Sequence, residues 1–154
     1  MARAIVIYES KYGNTRMVAA KIAEGIRQAS GVEPDVRELN EVNPEELTEF
    51  DVVVIGSPNH MGSATRGIRK FIDGLAGFSF EEKKLAAVFD TYIGRDLEKA
   101  ARKMEKQMAD KAPSLSLAAP GLSIRVEGMK GPIAEGELSR CQEFGIVIGN
   151  LLKA

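Results

Sequence analysis

Short apolar runs alternate along this chain with segments of helical periodicity, and this alternation narrows the folds open to it more than any other feature. The runs cover residues 4–8, 51–56 and 85–89. Runs of this length are typical of strands buried on both faces of a sheet. Val18, Ile22 and Ile26 follow the first run at four-residue spacing, which predicts the inner face of a helix. Gly31 can end that helix.

The rest of the chain continues the alternation. Further strands are predicted over residues 32–39 and 115–126, and further helices from Asn43, over 96–108 and over 137–152. The residues expected on inner helix faces are Ile68, Phe71, Ile72 and Leu75, then Leu97, Ala101, Met104 and Met108. Apolar and polar residues alternate from Leu122 to Val126, with Ser123 and Arg125 facing water, which predicts an exposed edge strand. We expect Cys141 and the methionines at core positions.

Five strands separated by helices predict a parallel α/β sheet with right-handed crossovers and helices on both faces. We expect residues 1–154 to form a single domain. Ligands of such sheets bind at the carboxyl ends of the strands, near the topological switch point. That rule selects the loops at 9–15, 57–65 and 90–95 as the candidate site.

Charge and composition exclude several classes of protein. The chain has 21 basic and 22 acidic residues, so its net charge of −1 gives no general attraction to nucleic acid or anionic membranes. No apolar run approaches the roughly 20 residues of a membrane span. The N-terminus lacks the apolar core and cleavage site of a signal peptide. With one cysteine and one histidine, we expect a cytoplasmic protein without a Cys/His metal site.

The loop at 10–15 has the composition of a phosphate site. None of its residues is proline, so each can donate a backbone N–H, and Gly13 permits a tight turn. Ser10, Asn14 and Thr15 add side-chain donors, and a helix that begins near Asn14 directs its positive end into the loop. The loop lacks the Walker and dinucleotide glycine patterns. Composition alone therefore leaves open that these residues only turn the chain and cap the helix.

The wider spacing is more specific, because residues 6–22 resemble the signature of the flavodoxin family. Two apolar residues precede an aromatic residue, Tyr8, followed by Ser10, Gly13, Thr15, an alanine and an aliphatic residue. The resemblance spans essentially the whole chain. It implies a flavodoxin-like three-layer sandwich in which five parallel strands lie in the order 2-1-3-4-5. It also implies FMN as the cofactor, with the phosphate held by Ser10, Lys11, Tyr12, Gly13, Asn14 and Thr15.

Residues 50–62 are similar to the third strand and the following loop of the same family, in which this loop lies along the flavin ring. The contacts that the resemblance implies are Ser57, Pro58, Asn59, His60, Met61 and Gly62. The peptide between Met61 and Gly62, which glycine allows to rotate, is the candidate for a hydrogen bond to the flavin N5. His60 either makes the flavin potential depend on pH or is an exposed loop residue beside the ligand.

Residues 90–96 match the family less well, because Ile93 and Arg95 interrupt a segment that is commonly glycine-rich and acidic. The contacts that the resemblance implies here are Asp90, Thr91, Tyr92 and Gly94. Tyr92 either stacks on the flavin or packs beneath the loop. Positive charge at Arg95 and at positions 66, 69 and 70 predicts a flavin potential less negative than that of a strongly acidic flavodoxin.

Three functions remain open. The first is an electron carrier that cycles FMN through one-electron states, with no catalytic residue of its own. Its partners would be a flavodoxin reductase or a similar donor, and an acceptor enzyme. The second is an FMN-dependent NAD(P)H reductase of quinones or porphyrin precursors, and the third is a flavin-free interaction protein. A phosphate-accepting receiver domain is disfavoured, because only Glu9 stands where paired acids are needed. The phosphate loop favours FMN over riboflavin, and the oligomeric state stays open.

Overall fold

The computed structural model describes residues 2–81 and 83–153. Its strands are β1 (Ala4–Tyr8), β2 (Asp35–Glu38), β3 (Val52–Pro58), β4 (Leu85–Tyr92), β5 (Ser116–Leu117) and β6 (Leu122–Arg125). Its α-helices are α1 (Asn14–Ser30), α2 (Arg66–Gly74), α3 (Lys99–Lys111) and α4 (Glu137–Lys153). Short 3-10 helices cover Leu39–Glu41, Pro44–Glu49 and Leu75–Gly77. Within the described residues, the helices are too short or too polar to cross a membrane.

The strands form one parallel sheet in the order β2-β1-β3-β4-β5. The predicted fold and strand order are therefore confirmed. The edge position is shared by two short strands, because β5 pairs with Leu85 and Ala86, whereas β6 pairs with the end of β4 from Phe89 to Tyr92. Pro120 lies in the interruption, where its missing N–H cannot contribute to the ladder.

The two faces of the sheet are covered by different helices, as the unbroken apolar strands predict. Ile5 and Ile7 of β1 pack with Ile68 of α2 and Met104 of α3 in one cluster. Val6, between them, packs on the other face with residues of α1 and α4. Alternate side chains of one strand thus enter two cores, which requires every position of β1 to be apolar.

Several local expectations need correction. The second strand begins at Asp35 rather than 32, and the segment after Asn43 is a short 3-10 helix. Leu97 is 53% exposed because α3 begins only at Lys99. Ser123 is buried rather than wet, because its hydroxyl donates a hydrogen bond to Asp90 at 2.6 Å.

The sulfur-containing residues divide between core and surface. Cys141 is fully buried in α4, as expected, and burial raises the pKa of its thiol to about 12. Met104 and Met108 are buried on α3. The core placement predicted for the methionines is wrong for two others, because Met61 is 92% exposed and Met129 is 68% exposed. Met17 is half exposed as well, and Met1 lies outside the described residues.

Candidate functional site

A groove of about 490 Å³ opens at the carboxyl ends of β1, β3 and β4. The predicted site residues that line it are Ser10, Lys11, Tyr12, Asn14, Thr15, Pro58, Asn59, His60 and Thr91. It is also lined by Glu9, Glu38, Thr65, Ile93, Val126, Gly128 and Met129. The volume lies within the range of small-molecule and cofactor sites.

The loop after β1 builds one end of this groove. Gly13 has a left-handed φ of 97°, and its N–H donates to the Ser10 hydroxyl at 3.0 Å. Helix α1 begins at the next residue, Asn14, and no side chain caps it. The first N–H groups of a helix have no acceptor within it, and they carry the positive end of the helix dipole. This end of the groove therefore presents neutral donors and a partial positive charge to an anion.

The loop after β3 is built around a tight turn from His60 to Ser63. The His60 N–H donates to the Ser63 carbonyl at 2.7 Å, and the Ser63 N–H donates back at 3.2 Å. Both central residues are left-handed, with φ of 54° at Met61 and 83° at Gly62. Glycine adopts this conformation without penalty, whereas a methionine in it costs of order 1 kcal/mol or more. The turn places Met61 at the surface beside the groove, and neither Met61 nor Gly62 lines it.

Ser57 does not line the groove but supports the loop after β3 through hydrogen bonds. Its hydroxyl accepts the Thr65 N–H at 2.9 Å and donates to the Pro58 carbonyl at 2.9 Å. The Thr65 hydroxyl in turn donates to the Glu9 carboxylate. The loops after β1 and β3 are therefore joined by the hydrogen bond between Thr65 and Glu9, and Ser57 positions Thr65 for it.

The third predicted loop is partly strand, because β4 continues to Tyr92. Thr91 faces the groove, and its hydroxyl lies 3.0 Å from that of Thr15. The Thr91 carbonyl accepts the N–H of Asn59 at 2.7 Å. Thr91 thereby connects β4 to both of the other loops.

Asp90, the neighbour of Thr91, points to the opposite face of the sheet. Its carboxylate is fully buried and accepts hydrogen bonds from the Ser123 hydroxyl at 2.6 Å and the Ala101 N–H at 2.8 Å. Burial raises the pKa of Asp90 to about 6, although these hydrogen bonds act in the opposite direction. Asp90 thus supports the start of α3 and does not line the groove.

Three other predicted residues also lie outside the groove lining. Tyr92 is half-buried at the end of β4, where burial first and then the nearby Glu137 raise the pKa of its phenol. The aromatic side chain that lines the groove is Tyr12 instead. Gly94 and Gly13 shape the backbone of their loops with left-handed φ of 66° and 97°.

A fourth wall, missed by the sequence analysis, follows β6. Val126, Gly128 and Met129 line the groove there, and the Asn14 amide donates to the Met129 carbonyl at 3.5 Å. Gly131 is left-handed at φ 100°, and a Cβ on it would lie 2.8 Å from the Asn14 side-chain oxygen. The signal was available, because this loop also leaves the carboxyl end of a strand and carries three glycines before α4.

Comparison with known proteins decides the family. A family model described as a flavodoxin domain matches residues 5–126. The chain belongs to the flavodoxin family. Members of this family bind FMN.

Two curated relatives each match part of the chain. A flavodoxin of Aquifex aeolicus is 31% identical over a match covering 61% of this chain and 52% of that protein. An NAD(P)H dehydrogenase (quinone) of Acidithiobacillus ferrooxidans is 26% identical, over 60% of this chain and 56% of that protein. The chain spans about half the length of these curated relatives.

Solved structures extend the likeness to the whole fold. A flavodoxin from the domain Archaea superposes with a TM-score of 0.83 at 27% identity, covering 99% of both chains. The flavodiiron core of Flv1 from Synechocystis superposes with a TM-score of 0.78 at 24% identity, covering 99% of this chain and 36% of that one. The second likeness shows that the fold recurs as part of a larger protein.

The groove fits FMN at two places. At one end, the uncapped start of α1 and the donors around it suit a phosphate. In the wall, the buried side-chain oxygen of Asn59 has no hydrogen-bond partner within the described residues, while its amide donates to Asp96 at 2.9 Å. A buried acceptor left unpaired is costly, and a ring that presents N–H groups would satisfy it. The two features match the phosphate and the heteroaromatic ring of one ligand.

Proposed function

We propose that this chain holds FMN in the groove and carries electrons between protein partners. The observation that supports this most directly is the anion cradle formed by the uncapped start of α1 and the loop before it. FMN, when bound, supplies one-electron chemistry that no side chain can supply. The protein contributes binding, orientation and a defined electrostatic environment.

The proposed roles follow from the positions in the groove. Ser10, Asn14, Thr15 and the N–H groups of the first turn of α1 hold the phosphate. Tyr12 and His60 line the groove where a planar ring can lie against them, and Asn59 offers its unpaired oxygen to a ring N–H. None of these residues is required to act as an acid, base or nucleophile.

The partners and location are also proposals. We propose a flavodoxin reductase or a similar donor and a separate acceptor enzyme, because the described residues around the groove contain no second redox group. A cytoplasmic location agrees with a single cysteine whose thiol is fully buried.

A quinone reductase is the second candidate, supported by the similarity to the NAD(P)H dehydrogenase (quinone) of Acidithiobacillus ferrooxidans. The exposed side chains of Ile93 and Met129 at the groove also suit an apolar acceptor. FMN-loaded protein that oxidises NAD(P)H when a quinone is added would select this function. A carrier needs a separate reductase for the same oxidation.

Replacing Asn14 by aspartate tests the cradle. The change adds one negative charge where the phosphate is proposed, and two like charges a few ångströms apart repel by about 1–4 kcal/mol near a protein surface. We expect the affinity for FMN, measured by quenching of flavin fluorescence, to fall about 10-fold or more. The affinity for riboflavin, which lacks the phosphate, should change little.

Two features make the result interpretable. An aspartate in the first turn of a helix favours the folded state, but the change also removes the amide that donates to the Met129 carbonyl, so the riboflavin affinity of the same variant shows whether the groove is still formed. The matched control is Asn150→Asp, an exposed position near the end of α4 at the other end of the sheet, which should bind FMN as the unmodified chain does. Equal loss of FMN and riboflavin in Asn14→Asp would contradict the phosphate assignment, and a chain that takes up no FMN would refute the proposed function.

A further inference from the structure

Four large apolar side chains surround the groove and face water. Tyr12 is 41% exposed, Met61 92%, Ile93 43% and Met129 68%. Tyr12, Ile93 and Met129 line the groove, and Met61 follows His60, which also lines it. Exposed apolar residues are unremarkable singly, whereas several around one site indicate an interaction surface. We name these four residues the apolar rim.

The backbone of the rim shows that folding alone does not explain it. Met61 is held at a left-handed φ of 54°, although its side chain has almost no contact with the rest of the chain. The strain of this backbone conformation is not compensated by burial of the Met61 side chain. Strained residues of this kind cluster at functional sites. Methionine and tyrosine are also enriched at protein interfaces.

Basic side chains surround the rim. Gly62, beside Met61, would place a Cβ 3.9 Å from the Lys103 ammonium and 4.0 Å from Lys99. Lys103 donates to the Ser63 hydroxyl at 3.1 Å, which fixes it beside the turn. Lys11 lies 5.4 Å from the centre of the Tyr12 ring. The remaining members are Arg95, two residues after Ile93, and Lys130, next to Met129. We name Lys11, Arg95, Lys99, Lys103 and Lys130 the basic collar.

Acids near the collar compensate only part of its charge. Asp96 pairs with Lys99 at 3.0 Å, and Glu98 pairs with Arg102, which lies outside the collar. Within the described residues, no salt bridge involves the other four collar residues. Glu127 is exposed in the loop after β6. Glu9 and Glu38 line the groove itself. With Asp96 and Glu127 they are four acids against the five basic residues of the collar, so the margin of the groove keeps a small excess of positive charge, although the whole chain carries a net charge of −1.

We propose that the apolar rim and basic collar form the docking surface for an acidic electron-transfer protein, a proposal that rests on the proposed function above. A central apolar patch with charges at its margin is the arrangement of protein interfaces. The sign of the collar selects a partner whose contact surface is acidic. A nucleic acid or an anionic membrane fits less well, because acids interrupt the collar and the chain as a whole is slightly negative.

Charge reversal in the FMN-loaded protein tests the proposal. The variant Lys99→Glu/Lys103→Glu changes two collar residues that do not line the groove. The matched control, Lys83→Glu/Lys111→Glu, makes the same change in net charge before β4 and at the end of α3, at the opposite end of the sheet. The probes are an acidic [2Fe–2S] ferredoxin and a basic cytochrome c, titrated against each protein at low and high ionic strength.

The expected results are specific to the sign of the charge. The unmodified protein should bind the acidic ferredoxin more tightly than the basic cytochrome, and added salt should weaken that binding. The collar variant should bind the ferredoxin at least about 10-fold more weakly at low salt, with the control within about twofold of the unmodified protein. Met61→Ser should weaken binding with an unchanged salt dependence, because it removes apolar contact and no charge.

Three results would contradict the proposed docking surface. A protein that binds the ferredoxin no more tightly than the cytochrome, or a collar variant that behaves as its control, overturns the docking surface. Binding to phosphatidylglycerol vesicles that the collar variant loses, without binding to the ferredoxin, assigns the collar to membranes and overturns it too. The visible spectrum of each preparation separates these results from failure of the proposed function, because a protein without bound flavin fails before any titration.

Discussion

Asp90 shows how strongly a single buried residue can shape this protein. Its carboxylate is fully buried behind the groove and connects β4 to β6 and to the first turn of α3. Burial raises its pKa to about 6. The sequence predicted that Asp90 lies in a loop beside the flavin, because an aspartate after an apolar run normally marks the end of a strand. The nearby serine and the helix N–H that satisfy it become neighbours only in the folded chain.

Replacing Asp90 by asparagine should change the pH dependence of stability. The folded pKa of about 6 exceeds the ordinary value of 3.8, so the folded state holds more protons between these values. Protonation therefore favours folding at low pH, and the free energy of unfolding falls as pH rises through the folded pKa, by up to about 3 kcal/mol. Urea unfolding at several pH values from about 4 to 7 should show this contribution in the parent and not in Asp90→Asn.

The matched control is Asp110→Asn on α3, whose side chain is 76% exposed and which should leave the pH profile unchanged. The quantity to compare is the difference in the free energy of unfolding between each variant and the parent at each pH, because other carboxylates titrate in the same interval. An Asp90→Asn profile parallel to that of the parent would show that burial does not raise the pKa of this carboxyl group in the folded protein.

At the scale of elements, helices α1 and α4 pack with their backbones in contact. A Cβ on Gly25 would lie 2.1 Å from the Gln142 carbonyl oxygen, and a Cβ on Gly145 would lie 2.1 Å from the Ile22 carbonyl oxygen. These neighbours are backbone atoms, so they can yield only if one helix moves. The two helices cover the face of the sheet that carries Val6 and Phe89. These glycines set the distance between the two helices.

Gly145→Ala should therefore destabilise the protein by about 1–3 kcal/mol in urea unfolding, because a methyl group must force the helices apart. Gly74→Ala is the control, since Gly74 has helical φ of −65° and no atom within 4 Å of an added Cβ. It should be neutral or stabilising by up to about 1 kcal/mol, as alanine favours a helix. Equal effects of the two changes would mean that α1 and α4 are not in backbone contact.

The elements were predictable where burial leaves a periodic signal. The strand at Ala4–Tyr8 and the helix face containing Ile68 and Phe71 appear as predicted, because both faces of the sheet are covered. The end of β4 was not predicted as strand, because Asp90 and Thr91 are polar and form their hydrogen bonds with residues of distant elements. The interruption of the edge strand was also missed, although residues 118–121 contain Pro120 and break the alternation in the sequence, because one strand was predicted over residues 115–126.

At the scale of the molecule, the site was predictable only in part. The loop from Ser10 to Thr15 was identified because the family signature contains it. The wall at Gly128 and Met129 was missed, because it approaches Asn14 through a backbone carbonyl and no side-chain pattern marks it. The exposure of Met61 was not predicted for a related reason, because composition cannot distinguish a methionine in the core from one at the surface.

The assembled groove predicts a coupling between FMN binding and global stability. Its walls come from segments between Glu9 and Met129, so they meet only in the folded chain. A ligand at about 100 times its Kd stabilises such a protein by about 2.7 kcal/mol, which raises Tm by roughly 5–10 °C for a domain of this size. Thermal unfolding followed by circular dichroism should show this rise with FMN and a smaller one with riboflavin at equal concentration, because riboflavin leaves the uncapped start of α1 without its anion. Asn14→Asp should reduce the FMN shift to that of riboflavin. Equal shifts for both flavins in the unmodified protein would mean that the ring alone accounts for binding and that the cradle at α1 has another occupant.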